Sequence, residues 1–162
     1  MARLLIVGCG CRGRSLAAAL PGHAVRGTSR SPERVAELEQ AGIEGVVADP
    51  DRLATLVPAL SGVTVVCWLM GSAVNSPEVN GVRLATFAEH LVDTPVRGLI
   101  YEAAGSVDAS VLATGAQIVR TASQTWHIPV EVVTADPAEH EAWLQAMKAA
   151  VERTLAGASA RG

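Results

Sequence analysis

This 162-residue chain has one tyrosine, one phenylalanine and one lysine, and aromatic side chains make up only 3% of it although 49% of the residues are hydrophobic. A core with so few rings must come from Val, Leu, Ile and Ala, a palette that suits parallel strands buried on both faces. Three cysteines, Cys9, Cys11 and Cys67, are too few for a disulfide framework. Cys9-x-Cys11 lacks the spacing of a metal pair, and none of His23, His90, His127 or His140 stands beside a second donor, so no metal site is expected. No apolar run approaches the ~20 residues of a membrane span, and no signal peptide is evident. A formal net charge of −3 gives no electrostatic footprint for nucleic acid or an anionic membrane. The expectation from these absences is one cytoplasmic domain with a sizeable aliphatic core.

What is present begins at once. Arg3-Leu-Leu-Ile-Val7 is a short apolar run, followed by Gly8-Cys-Gly-Cys-Arg-Gly13 and a small-residue helix closed by Pro21-Gly22. Gly8 permits a tight turn out of the strand, Gly10 lets the backbone approach a pyrophosphate, and Gly13 lets helix and strand pack closely. The helix opening near Cys11 aims its free N–H groups and positive dipole end at the phosphates. Residues 24–28 read as a second strand, which completes a βαβ unit of about thirty residues. A glycine-rich turn alone is a common feature; the strand before it and the helix after it make it a dinucleotide cradle.

The alternation then continues along the chain. Helices are expected at 32–40 (Ser31 as N-cap), 52–60, 77–91 (Ser76 as cap), 110–126 and 137–155 (Asp136 as cap), and strands at 44–48, 63–69, 98–101 and 130–133. Six strands alternating with six helices predict a single three-layer α/β domain over residues 1–155. Its six-stranded doubly wound parallel sheet has the order 3-2-1-4-5-6, and a short flexible tail covers 156–162. The stripe Trp143, Met147 and Val151 in the last helix reads as core, as do Phe87 and Leu91 in the fourth. Either helix leaves room for a homodimer contact.

The end of the second strand refines the ligand. A cradle for NAD usually places a carboxylate there to bond the ribose 2′-hydroxyl. Here Gly27-Thr-Ser-Arg30 supplies hydroxyls and a guanidinium, with no acid before Glu33. Arginine offers a planar donor fork to phosphate oxygens, so NADP is expected and NAD is the lesser alternative. Arg12 and Arg14 would add charge on the same side.

These segments, with Pro32-Glu-Arg34 and Val46-Val-Ala-Asp49, resemble the atypical short-chain dehydrogenase/reductase superfamily and its nucleotide-sugar-epimerase-like relatives. The resemblance implies that Asp49, after the third strand, contacts the adenine. The residues themselves equally allow Asp49 to be a turn former before Pro50. The cofactor-binding set expected on these grounds is Gly8, Gly10, Cys11, Arg12, Gly13, Ser29, Arg30 and Asp49, with Trp68 and Met70 from the end of the fourth strand.

The chain departs from that superfamily where the chemistry would be done. Its usual pair is a Tyr with a Lys four residues later, the Lys lowering the phenol pKa. Here Tyr101 is followed at that spacing by Gly105, and the single lysine is Lys148 in the final helix. Strand ends in this fold carry the site, and they offer Tyr101 and Glu102 as an acid/base pair, with Ser106 as a contact. Against that, Tyr101 reads better as a packed strand residue, Ser106 as an ordinary turn residue and His127 as a helix-end charge. The expectation is an NADP(H)-binding protein that acts, if it is an enzyme, as an oxidoreductase on a small carbonyl or alcohol. The alternative is a non-catalytic dinucleotide sensor or regulatory module. Methyl transfer from S-adenosylmethionine is a third reading, disfavoured by the missing acid at the end of the second strand.

Overall fold

The computed structural model describes residues 2–161. Its strands are β1 (Arg3–Val7), β2 (Ala24–Ser29), β3 (Glu44–Val47), β4 (Val65–Trp68), β5 (Gly98–Glu102) and β6 (Val130–Val133). The helices between and after them are α1 (Cys11–Ala18), α2 (Pro32–Gln40), α3 (Leu53–Leu56), α4 (Val82–His90), α5 (Ala109–Trp126) and α6 (His140–Arg161). All pairings are parallel and the order is β3-β2-β1-β4-β5-β6, the expected doubly wound sheet. Strand order reverses between β1 and β4, which opens a crevice above their carboxyl ends.

Strand alternation divides the core in two. Leu5, Val7, Val66, Trp68, Leu99 and Tyr101 face one layer, together with Phe87 and Leu91. Leu4, Ile6, Val65, Cys67 and Ile100 face the other, against Leu16, Leu38, Trp143, Met147 and Val151. The expected stripe in the last helix is thus core. Trp68, fully buried, packs its ring 4.8 Å from that of Phe87 and donates its indole N–H to the Val79 carbonyl at 3.1 Å.

Several boundaries differ from the sequence expectation for local reasons. The stretch read as one helix over 77–91 is a 3-10 turn, Pro77–Asn80, and then α4, because Gly81 takes a non-helical conformation (φ −131°, ψ −113°). Ser76 makes no capping hydrogen bond. Asp136 does not cap α6. Its carboxylate accepts from the Ala138 N–H at 2.9 Å in a turn, and the helix starts at His140. That helix also continues past 155 to Arg161. Ser31 does cap α2, accepting from the Arg34 N–H at 3.3 Å.

The segment before α4 is anchored by a buried polar pair. The Tyr101 hydroxyl donates to Asn80 Oδ1 at 2.8 Å, and Asn80 Nδ2 donates to the Met70 carbonyl at 3.0 Å. Asn80→Ala strands the buried Tyr101 hydroxyl and leaves the Met70 carbonyl with only the Ala73 N–H, and is expected to lower unfolding free energy by about 1–3 kcal/mol in urea titration. An unchanged midpoint would show that the pair contributes nothing.

Candidate functional site

At the carboxyl end of β1 the chain turns at Gly8, whose φ is +78°. A Cβ there would stand 2.5 Å from Met70 Sδ and 2.6 Å from the Leu69 carbonyl oxygen, so only glycine lets this loop lie against the loop after β4. The end of β2 pins the turn. The Gly8 N–H donates to Thr28 Oγ1 at 3.2 Å and the Cys9 N–H to the Thr28 carbonyl at 2.9 Å. Gly10 is the N-cap of α1 and offers no side-chain cap; a Cβ there would meet nothing within 4 Å. Gly10 lines the cleft just ahead of α1, whose first N–H groups lack helical partners, the kind of helix end that favours an anion. Gly13 lies within α1, where a Cβ would press on Cys9 Sγ at 2.8 Å. A dinucleotide cradle fits these residues.

The loop opens into a cleft of about 310 Å³. Gly8, Gly10, Ser29, Arg30 and Arg34 line one side, and Met70, Ser72 and Ala73 the other. An adjoining recess of about 110 Å³ is shared by Arg30, Asp49, Met70 and Ser72. Asp49 also accepts from the Asp51 N–H at 2.9 Å, so it forms the turn before Pro50 and borders the recess as well. Arg30 and Arg34 are both exposed. Arg34, in the first turn of α2, was not expected as a site residue; Arg30 precedes that helix, and the two meet on the same cleft. An apolar groove of about 390 Å³ between α4 and α5, lined by Val82, Ile118 and Trp126, contains none of the expected site residues.

Several residues expected at the site are placed elsewhere. Trp68 is sealed in the core on the α4 side and does not border the cleft, because its position in β4 turns it away from the α1 layer. Cys11 is exposed on the first turn of α1, outside the cleft lining. Tyr101 and Glu102 are successive strand residues, so they point to opposite faces and cannot form an acid/base pair. The Tyr101 hydroxyl is held by Asn80, and burial pushes its pKa above the ordinary tyrosine value, with the Glu102 charge adding to the effect. Ser106 is exposed. At the end of β6, Thr134 and Asp136 border a separate recess with Arg120 that contains none of the expected site residues.

Arg12 and Glu102 meet each other instead. Glu102 has no exposed surface, and its carboxylate accepts four hydrogen bonds. Arg12 Nε reaches Oε2 at 3.1 Å and Arg12 Nη2 reaches Oε1 at 2.7 Å, a bidentate pair. The Gly71 N–H adds 3.1 Å to Oε1, and the Trp143 indole N–H adds 2.9 Å to Oε2. Arg12 Nη1 donates to Ser72 Oγ at 3.0 Å, and its guanidinium lies 5.8 Å from the Trp143 ring centroid. Arg12, expected to face a phosphate, therefore uses all three of its nitrogens within the protein.

Among the described residues no group of three or more His, Cys, Asp or Glu is gathered as for a metal ion, and no helix is long and apolar enough to cross a membrane. The buried thiols are held protonated. Burial pushes Cys9 up to about 11, with Arg14 pulling slightly the other way. Burial, with Cys9 nearby, pushes Cys67 up to about 12.

No family model and no curated protein sequence matches the chain. Solved structures share its fold. UDP-glucuronic acid 4-epimerase from Bacillus cereus, in complex with NAD, superposes with a TM-score of 0.64 at 16% identity, over 83% of this chain and 56% of that one. dTDP-glucose 4,6-dehydratase from Bacillus anthracis, also in complex with NAD, gives 0.67 at 13%, over 82% and 54%. Vestitone reductase from alfalfa gives 0.67 at 15%, over 82% and 56%. The chain thus has the Rossmann-like fold of these epimerases, dehydratases and reductases, and spans about half their length. At this level of identity the likeness is one of fold.

Two measurements check the site as built. Arg12→Ala leaves the Glu102 carboxylate buried without its cation, and is expected to cost about 3–5 kcal/mol of stability. Glu102→Gln keeps the shape and part of the bonding, and is expected to cost about 1–3 kcal/mol. Equal losses in urea denaturation would contradict a buried, charge-paired carboxylate. For the thiols, 5,5′-dithiobis(2-nitrobenzoate) at neutral pH should titrate Cys11 in the native protein and all three cysteines after denaturation. Rapid native reaction of Cys9 would contradict its burial.

Proposed function

We propose that this protein binds NADP(H) in the cleft between the loops after β1, β2 and β4. The single observation that carries the reading is the pairing of an open glycine turn with Arg30 and Arg34 on the same cleft. Gly8, Gly10 and the first N–H groups of α1 would hold the pyrophosphate. Ser29, Arg30 and Arg34 would hold a 2′-phosphate, since two guanidinium groups suit that dianion and no carboxylate ends β2. Asp49 and Met70 would border the adenosine. The NAD seen in two of the structural neighbours supports a nicotinamide dinucleotide; the preference for the phosphorylated form rests on the two arginines.

The geometry favours a non-catalytic binding or regulatory module over an enzyme. When bound, the cofactor would supply hydride chemistry, but proton transfer needs a positioned group whose pKa lies near the working pH. Tyr101 is buried against Asn80 with its pKa raised, and Glu102 is saturated by its own donors. The second reading is an oxidoreductase acting on a small carbonyl or alcohol. It draws support from the fold shared with a reductase and with epimerases.

Calorimetric titration with NADPH, NADH and S-adenosylmethionine tests both. NADPH is expected to bind at least tenfold more tightly than NADH. Arg30→Ala and Arg34→Ala should each weaken NADPH by about tenfold, or 1.4 kcal/mol, and leave NADH little changed. Equal or tighter NADH binding overturns the phosphate preference, and no binding of either at millimolar concentration overturns the cofactor reading. Turnover of NADPH with a panel of aldehydes and ketones would establish the oxidoreductase in place of the module.

A further inference from the structure

A dinucleotide in this fold lies across the crevice where strand order reverses, with its adenosine half on one side and its nicotinamide half on the other. That crevice is the gap between β1 and β4. Here it is bridged by protein. Arg12, from the first turn of α1, crosses to Ser72 in the loop after β4 and to Glu102 at the end of β5. Ser72 also lines the cleft, so the Arg12–Ser72 bond stands at the cleft's end. Behind it, Trp143 of α6 closes on the same carboxylate.

The loops beyond this bridge are also joined. The Gly71 carbonyl accepts from the Val107 N–H at 2.9 Å. A Cβ on Gly71 would collide with the Ala104 carbonyl, and one on Gly105 would collide with the Gly71 carbonyl. Backbone thus lies directly on backbone over the ends of β4 and β5, where a planar ring would have to enter. The cleft itself is lined from the β1, β2, β3 and β4 ends and by Arg34 of α2, with no residue from β5 or β6. The recess bordered by Ala104, Thr134 and Asp136 shares no residue with it. At about 310 Å³, with 110 Å³ beside it, the open space falls near the lower end of the ~300–1,000 Å³ found for small-molecule sites.

We infer that the cleft recognises one half of a dinucleotide, a 2′-phosphorylated adenosine 5′-diphosphate, and leaves the nicotinamide outside the protein. The inference rests on the cofactor reading above and narrows it. Arg12 is the residue that sets the boundary, since it cannot swing aside without abandoning a carboxylate that has no access to water. The recognised chemistry is common to intact NADP(H) and to a free 2′-phosphorylated adenosine diphosphate, and the test separates them.

Dissociation constants are measured by calorimetry for NADP+, for 2′-phospho-ADP-ribose (which lacks the nicotinamide) and for ADP. Saturation-transfer NMR is recorded on bound NADP+. The expected result is that NADP+ and 2′-phospho-ADP-ribose bind within about threefold of each other, while ADP binds at least tenfold more weakly. The adenine protons of NADP+ should receive saturation and the nicotinamide protons should not. If NADP+ binds tenfold or more tightly than 2′-phospho-ADP-ribose and its nicotinamide protons saturate, the half-site inference fails and the cofactor reading stands. If none of the three binds at millimolar concentration, both fail together.

Discussion

The carboxylate of Glu102 holds the carboxyl end of the sheet together. It ends β5 with no exposed surface, and it gathers a cation from α1, a backbone N–H from the loop after β4 and an indole N–H from α6. A buried carboxylate is costly unless every lone pair is met and a cation is close, and here both conditions hold. The three elements that supply the donors have no covalent reason to meet. Their arrangement over β4 and β5 follows from the need to satisfy one charge.

The glycine turn depends on a different and weaker set of contacts. Thr28 fixes the loop from the β2 side, and the absence of a side chain on Gly8 lets Met70 and Leu69 close from the β4 side. The turn is therefore held on two sides and open above Gly10. Arg12, only two residues beyond that open position, belongs to the Glu102 assembly. The six-residue motif thus has one position open at the cleft, Gly10, and another, Arg12, engaged by the protein.

Much of the fold was legible because buried parallel strands and glycine punctuation leave strong marks. Strand order, the α6 core stripe and the Ser31 cap are all as the pattern implies. Gly81 was not legible as a break, since the apolar period runs through it and only its backbone conformation interrupts the helix. The cleft was legible at Gly8, Gly10, Ser29 and Arg30, where local sequence builds the loop. Glu102 was not, because its donors come from positions 31, 41 and 90 residues away. Tyr101 and Glu102 are adjacent in a strand, and adjacency alone sends them to opposite layers.

That separation bears on what the fold can do. A general acid or base must reach the reacting atoms and exchange a proton near the working pH. Tyr101 is on the α4 side, its hydroxyl committed to Asn80 and its pKa raised by burial. Glu102 is on the α1 side, where its charge is consumed in holding Arg12. Epimerases, dehydratases and reductases share the scaffold, but a scaffold fixes where strand ends lie and leaves the chemistry to the side chains placed there. In this chain the two titratable side chains at the end of β5 serve its architecture. The groups free to meet a ligand, Arg30 and Arg34, are donors that hold charge and do not move protons. The proposed anion binding therefore rests on where those two guanidinium groups stand on the cleft.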